Sequence, residues 1–204
     1  MSTLTVYTDY KSPYAYLAKD PTYQLARETG VELDWRPYTL DIPSYLGSAE
    51  VDESGRVLAE NRDAHQWRKV KYSYMDCRRY ANLRGLTLRG TRKIFDSSIA
   101  NIAMMYALAA GALTPFHDVV FERFWRRELD IEDPAVVARV LAECGVDPAG
   151  FAGYLAGPGR AEHDSLRAEA EAMGVFGVPT YVLDGEIFWG REHLDLIRLR
   201  LEKA

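Results

Sequence analysis

Apolar and polar positions in this chain follow two rhythms, and the order in which they alternate outlines a fold. Leu4-Thr5-Val6-Tyr7-Thr8 alternates with period two and predicts a strand. A helix is predicted next, capped by Ser12 with Pro13 in its first turn, running through Leu17 and Leu25 to Gly30. Val31 to Tyr38 alternates again and predicts a second strand. Two strands joined by a helix of this length imply a parallel pair. From Thr39 to about Glu60 both rhythms lapse. Pro43, Gly47, Gly55 and the acidic stretch Glu50-Val51-Asp52-Glu53 predict a long irregular excursion.

The helical period then takes over. Helices are predicted from Asn61 to Leu83, over Ile99–Leu108 behind Asp96-Ser97-Ser98, and over Phe116–Arg127 behind Pro115. Two more follow Asp133-Pro134 (Ala135–Cys144) and Asp147-Pro148 (ending near Gly157). Ile99–Leu108 is apolar on nearly every face and is expected to be buried. A helix over 160–173 leads into Gly177-Val178-Pro179. Strands Thr180–Leu183 and Glu186–Trp189 then flank Asp184-Gly185, a strong hairpin signal, and a last helix follows Gly190. Without its central helices the chain reads β-α-β then α-β-β-α, the element order of a thioredoxin fold. The fold class predicted is α/β: a thioredoxin-like domain from 1–40 and 160–204, with an all-helical insertion over 41–159 and an irregular leading loop.

Composition narrows the function classes. The chain has 204 residues, 48% hydrophobic and 27% charged, enough for a proper core in one soluble unit. A net charge of −5 gives no general attraction to nucleic acid or an anionic membrane. No apolar run approaches a membrane span, and no charged leader precedes an apolar stretch, so a cytoplasmic protein is expected. Cys77 and Cys144 are far apart and read as two reduced thiols. The four histidines stand singly, and no metal site is expected.

Candidate chemistry lies at opposite ends of the chain. Ser12 at a helix N-cap sits among unpaired backbone N–H groups and the positive end of a helix dipole, an environment that favours an anion. No His/Asp pair at a recognisable spacing would activate its hydroxyl as a nucleophile. It reads either as a plain cap or as a hydrogen-bond donor to another molecule's thiolate. Pro179 reads either as a strand-initiating proline or as a cis proline that leaves the Val178 backbone free to pair with a peptide-like ligand. Lys69, Tyr72, Asp76 and Arg79 share one helix face, as a solvated stripe or as part of a site.

These segments carry a resemblance. Asp9-Tyr10-x-Ser12-Pro13-Tyr14-x-Tyr16-Leu17, Gly174-Val175-Phe176-Gly177-Val178-Pro179-Thr180 and Asp184-Gly185-Glu186-Ile187-Phe188-Trp189-Gly190 resemble the DsbA-like group. That group includes kappa-class glutathione transferases and 2-hydroxychromene-2-carboxylate isomerases. Where redox members carry Cys-x-x-Cys, this chain has Ser12-Pro13-Tyr14-Ala15.

The resemblance implies glutathione as cofactor, with Ser12 bonding its sulfur and Val178 and Pro179 pairing with its cysteinyl backbone. Arg191 or Glu192 would meet its γ-glutamyl group, and Asn61 is a further candidate contact. It also implies a conjugated or aromatic small-molecule substrate, an isomerase or transferase activity, and a possible homodimer. The family's usual Ser-Asp-Arg triplet is replaced by Arg191-Glu192-His193. The basic segment Leu86–Lys93 reads first as solvated surface and second as the wall of a site for an anionic acceptor. Two alternatives remain: a disulfide oxidoreductase, which Ser12 and Ala15 disfavour, and a thiol-peptide binding module without turnover.

Overall fold

The computed structural model describes residues 2–203. One four-stranded sheet forms the frame: β1 (Thr3–Thr8), β2 (Glu32–Pro37), β5 (Thr180–Leu183) and β6 (Glu186–Trp189), in the order β2-β1-β5-β6. β1 and β2 are parallel, with Val6 opposite Trp35, because α1 (Pro13–Thr29) connects them. β5 returns antiparallel to β1, with Val6 opposite Tyr181, and pairs with β6 through a tight hairpin. Asp184 and Gly185 adopt φ values of 51° and 80°, the left-handed pair this turn requires.

α1 carries an internal proline. Pro21 has no N–H for the Leu17 carbonyl one turn earlier. Arg84, at the end of α3 (Ala64–Leu83), fills that vacancy: its Nη1 donates to Leu17 O at 2.6 Å and its Nη2 to Asp20 Oδ2 at 2.6 Å. The clamp fixes α3 against α1.

The expected excursion over 39–60 is more ordered than its sequence suggested. It contains α2 (Ile42–Leu46) and a two-stranded hairpin of β3 (Ala49–Val51) and β4 (Val57–Glu60). Its turn is held by Asp52, whose carboxylate accepts from Ser54 N, Ser54 Oγ and Arg56 N. β4 is exposed throughout, so no apolar alternation marked it. α3 begins at Ala64, later than expected, because Asp63 and Gln66 form a reciprocal capping box.

The remaining helices are α4 (Ser98–Ala109), α5 (Leu113–Trp125), α6 (Pro134–Glu143), α7 (Phe151–Ala156) and α8 (Pro158–Met173). A 3-10 turn (Arg191–His193) and α9 (Leu194–Leu201) close the chain. α4 is buried on nearly every face, as its composition predicted. The core is continuous across sheet and helices, and Trp125, Tyr7, Tyr10 and Tyr181 are its largest fully buried members among the described residues.

Candidate active site

Ser12 lies where β1 gives way to α1. The Ala15 N–H donates to Ser12 Oγ at 3.2 Å, so the hydroxyl caps the helix. The same hydroxyl donates to the Val178 carbonyl at 3.4 Å, joining segments 166 residues apart. That second bond is long, which leaves the proton weakly committed. The Val178–Pro179 peptide is cis. The loop around it is clipped by Gly190 N–H to Pro179 O at 2.9 Å and by Thr180 Oγ1 to Gly177 O at 2.6 Å. Val178 N–H donates to no backbone carbonyl among the described residues. Gly177 is closely packed: a Cβ there would lie 2.8 Å from Trp189 Nε1.

A buried polar chain supports the Ser12 turn. Asp9 is wholly buried, and its carboxylate accepts from Leu40 N at 2.9 Å, Asn101 Nδ2 at 3.2 Å and Lys11 N at 3.3 Å. Ser12 N–H donates to Asp9 O at 3.0 Å. Asn101 also donates to Thr39 Oγ1 at 2.7 Å, which pairs with His163 Nε2 at 2.8 Å. The turn is thus bonded to α4 and α8, and among the described residues Asn101 Oδ1 is the atom of this amide left without a partner.

In front of Ser12 opens a cleft of about 1210 Å³. Ser12, Val178, Pro179, Arg191 and Glu192 all line it. Arg191 lays its guanidinium 3.8 Å from the Tyr80 ring centre, and Glu192 folds back over Gly190. Asn61 does not line the cleft. Its Oδ1 accepts from Ser48 N at 2.6 Å and Ser48 Oγ at 3.2 Å, so its amide pins the base of the β3–β4 hairpin, while neighbouring Arg62 faces the cleft. The helix-face stripe divides: Lys69 and Tyr72 line the cleft, whereas Asp76 and Arg79 pair with each other at 3.6 Å outside it. Lys11, a buried lysine beside Ser12 with Nζ 3.9 Å from Asp9, also lines the cleft and had no sequence signal beyond its position before the cap.

The thiols lie elsewhere. Cys77 is buried in α3, and burial pushes its thiol up to about 12; burial also raises Cys144. Both shifts disfavour a thiolate.

Residues 3–202 match the family model described as a DSBA-like thioredoxin domain. The chain belongs to this family. The DSBA-like chain is 30% identical over 196 residues to a 2-hydroxychromene-2-carboxylate isomerase of Sphingobium xenophagum, covering 96% of this chain and 95% of the relative. A solved 2-hydroxychromene-2-carboxylate isomerase superposes with a TM-score of 0.73 at 25% identity, covering 98% and 95% of the two chains. A cytosolic disulfide reductase of Pseudomonas aeruginosa solved with GSH gives 0.64 at 20% identity, covering 98% of each, and speaks to the fold alone. Within the DSBA-like frame, this chain sets a serine and an alanine, Ser12 and Ala15, at the N-terminus of α1.

Proposed function

We propose that the protein is a glutathione-dependent isomerase of the 2-hydroxychromene-2-carboxylate type. The observation that carries this reading is the meeting of Ser12 Oγ and the Val178 peptide on one cleft wall. The site fits a thiol tripeptide: a weakly committed hydroxyl proton, a helix N-terminus and an unpaired Val178 N–H face the same space. Glutathione bound there would supply a sulfur nucleophile that adds reversibly to a conjugated substrate, permitting bond rotation.

The chain's own groups do the rest. Ser12 turns its Oγ–H from Val178 O toward the sulfur and, with the dipole of α1, favours the anionic form. Val178 N–H and C=O hold the cysteinyl backbone as an edge strand would. Arg191 and Glu192 offer the two charges that a γ-glutamyl carboxylate and ammonium need. Tyr14 faces the cleft with its hydroxyl pKa raised by burial, so it remains a proton donor at neutral pH.

The test is a comparison of wild type with Ser12→Ala. Millimolar glutathione should raise the melting temperature of both, and the bound thiol should titrate well below its free value only in wild type. An unchanged thiol titration in the variant reduces Ser12 to a helix cap. A melting shift without glutathione-dependent turnover of any conjugated anionic acceptor, the chromene carboxylate included, would mark a binding module instead.

A further inference from the structure

The far end of the cleft carries chemistry that thiol activation does not use. The chain is acidic overall, with a net charge of −5, yet nine Lys or Arg residues line the cleft. Among the described residues, Glu192 is the one carboxylate in that lining. Three guanidinium groups gather around a single loop. Arg78, from α3, donates Nε to Leu88 O at 3.3 Å. Arg127, just past α5, donates Nε to Gly90 O at 2.7 Å, and Arg92 sits on the loop between them and α4. Tethering through Nε keeps the two Nη groups of Arg78 and Arg127 outside those bonds.

This gathering opposes stability. Arg127 has φ +63°, a left-handed conformation that suits glycine and strains other residues. Its pKa is lowered by burial first, then by the positive charges of Arg92 and Arg89. Among the described residues Arg92 has one ion-pair partner, Glu53, which is highly exposed. Like charges held together by carbonyl tethers gain energy when an anion lies among them.

We propose that the Arg78–Arg92–Arg127 cluster binds a phosphate group of the second substrate, making that substrate a phosphorylated molecule with a flat conjugated body. This rests on the reading that the Ser12 end holds glutathione. Phosphate is favoured over carboxylate because its several oxygens can accept from guanidinium forks on more than one side, whereas a carboxylate saturates one fork. The cleft volume exceeds the roughly 300–1,000 Å³ of ordinary ligand pockets, as two ligands side by side require. Trp67, Tyr74 and Phe95 line the stretch that the conjugated body would cross.

The experiment is calorimetric titration with inorganic pyrophosphate, adenosine diphosphate and citrate on wild type, Arg127→Gly and Arg92→Gln. Adenosine diphosphate should bind tightest and pyrophosphate next, with citrate at least about tenfold weaker. Both variants should lose about tenfold in pyrophosphate affinity. In Arg127→Gly the relaxed φ at 127 offsets the lost bond to Gly90 O, so it should melt close to the wild-type temperature and its lost binding would not reflect lost fold. Citrate matching pyrophosphate, or affinity unchanged in both variants, would overturn the proposal. Adenosine diphosphate no tighter than pyrophosphate would remove the conjugated body. The glutathione melting shift, read on the same three proteins, should be equal in all; its absence from wild type would sink the thiol reading while leaving the phosphate result to stand or fall separately.

Discussion

The two walls of the cleft are built on opposite plans. The Ser12 wall consists of backbone carbonyls and short side chains: Ser12, Asp9 and Asn101 are 3%, 0% and 0% exposed, and each is bonded to a different element. The facing wall is made of long side chains on α3 and the loop after it, with Tyr72 56% exposed and Lys69 and Arg78 beside it in the lining. Rigid placement suits a reacting atom that must be held to a fraction of an ångström. Long, partly solvated side chains suit a partner whose shape varies. Divided this way, the site can keep one chemistry while its acceptor changes.

The strongest challenge to this contrast is Asp9→Ala. It would strand Leu40 N and one N–H of the Asn101 amide, and remove the charge beside Lys11. A loss of about 3–5 kcal/mol in urea unfolding is expected. A loss under ~1 kcal/mol would mean that the Ser12 wall is not held by this chain of bonds.

The next effect concerns the clamp that joins the walls. Arg84→Ala should cost about 2 kcal/mol, since a charged donor leaves Leu17 O unpaired. In a Pro21→Ala background the same change should cost clearly less, because alanine restores the missing N–H. Equal costs in both backgrounds would assign the energy to the Asp20 pair alone.

Behind the rigid wall, His117 is packed against Tyr10, Trp35 and Phe121, and burial pushes its pKa down to about 3. The unfolded chain takes up this proton below about pH 6.5, and the folded one does not until near pH 3. Stability from this group is therefore full above the unfolded value and falls with pH across that window, by up to ~1.4 kcal/mol per unit. Unfolding free energies at pH 7 and pH 5 should converge in His117→Gln. On the adaptable wall, Tyr72→Ala should change stability by less than ~0.5 kcal/mol while raising KM for the conjugated substrate and sparing kcat.

What was legible in the sequence was local. Ser12-Pro13 announced a capped helix, and Asp184-Gly185 announced a hairpin, because each signal acts within a few residues. α5 begins at Leu113, ahead of the expected start, because Pro115 is tolerated within a helix's first turn as well as at its head. The β3–β4 hairpin escaped notice because its signal was turn chemistry at Asp52 and Gly55, without apolar alternation.

The support beneath Ser12 was not legible. Asn101 lies in a helix that reads as purely apolar, and its partner Asp9 is 92 residues away. Asn61 carried a polar side chain in a plausible place, yet its bonds turn to Ser48. Arg127 gave no sign of a left-handed backbone, since nothing in the residue type requires one.

Gly177 sets a practical boundary on redesign. With the Trp189 indole within 2.8 Å of where any side chain would start, position 177 is closed to variation, and a mutational library aimed at it would mostly yield damaged loops. Phe176, 63% exposed and tilted against the Trp189 ring with centres 4.9 Å apart, is open to it. Re-tailoring of the entrance is best begun at Phe176, because the Trp189 indole also packs on Gly177 in the proline loop.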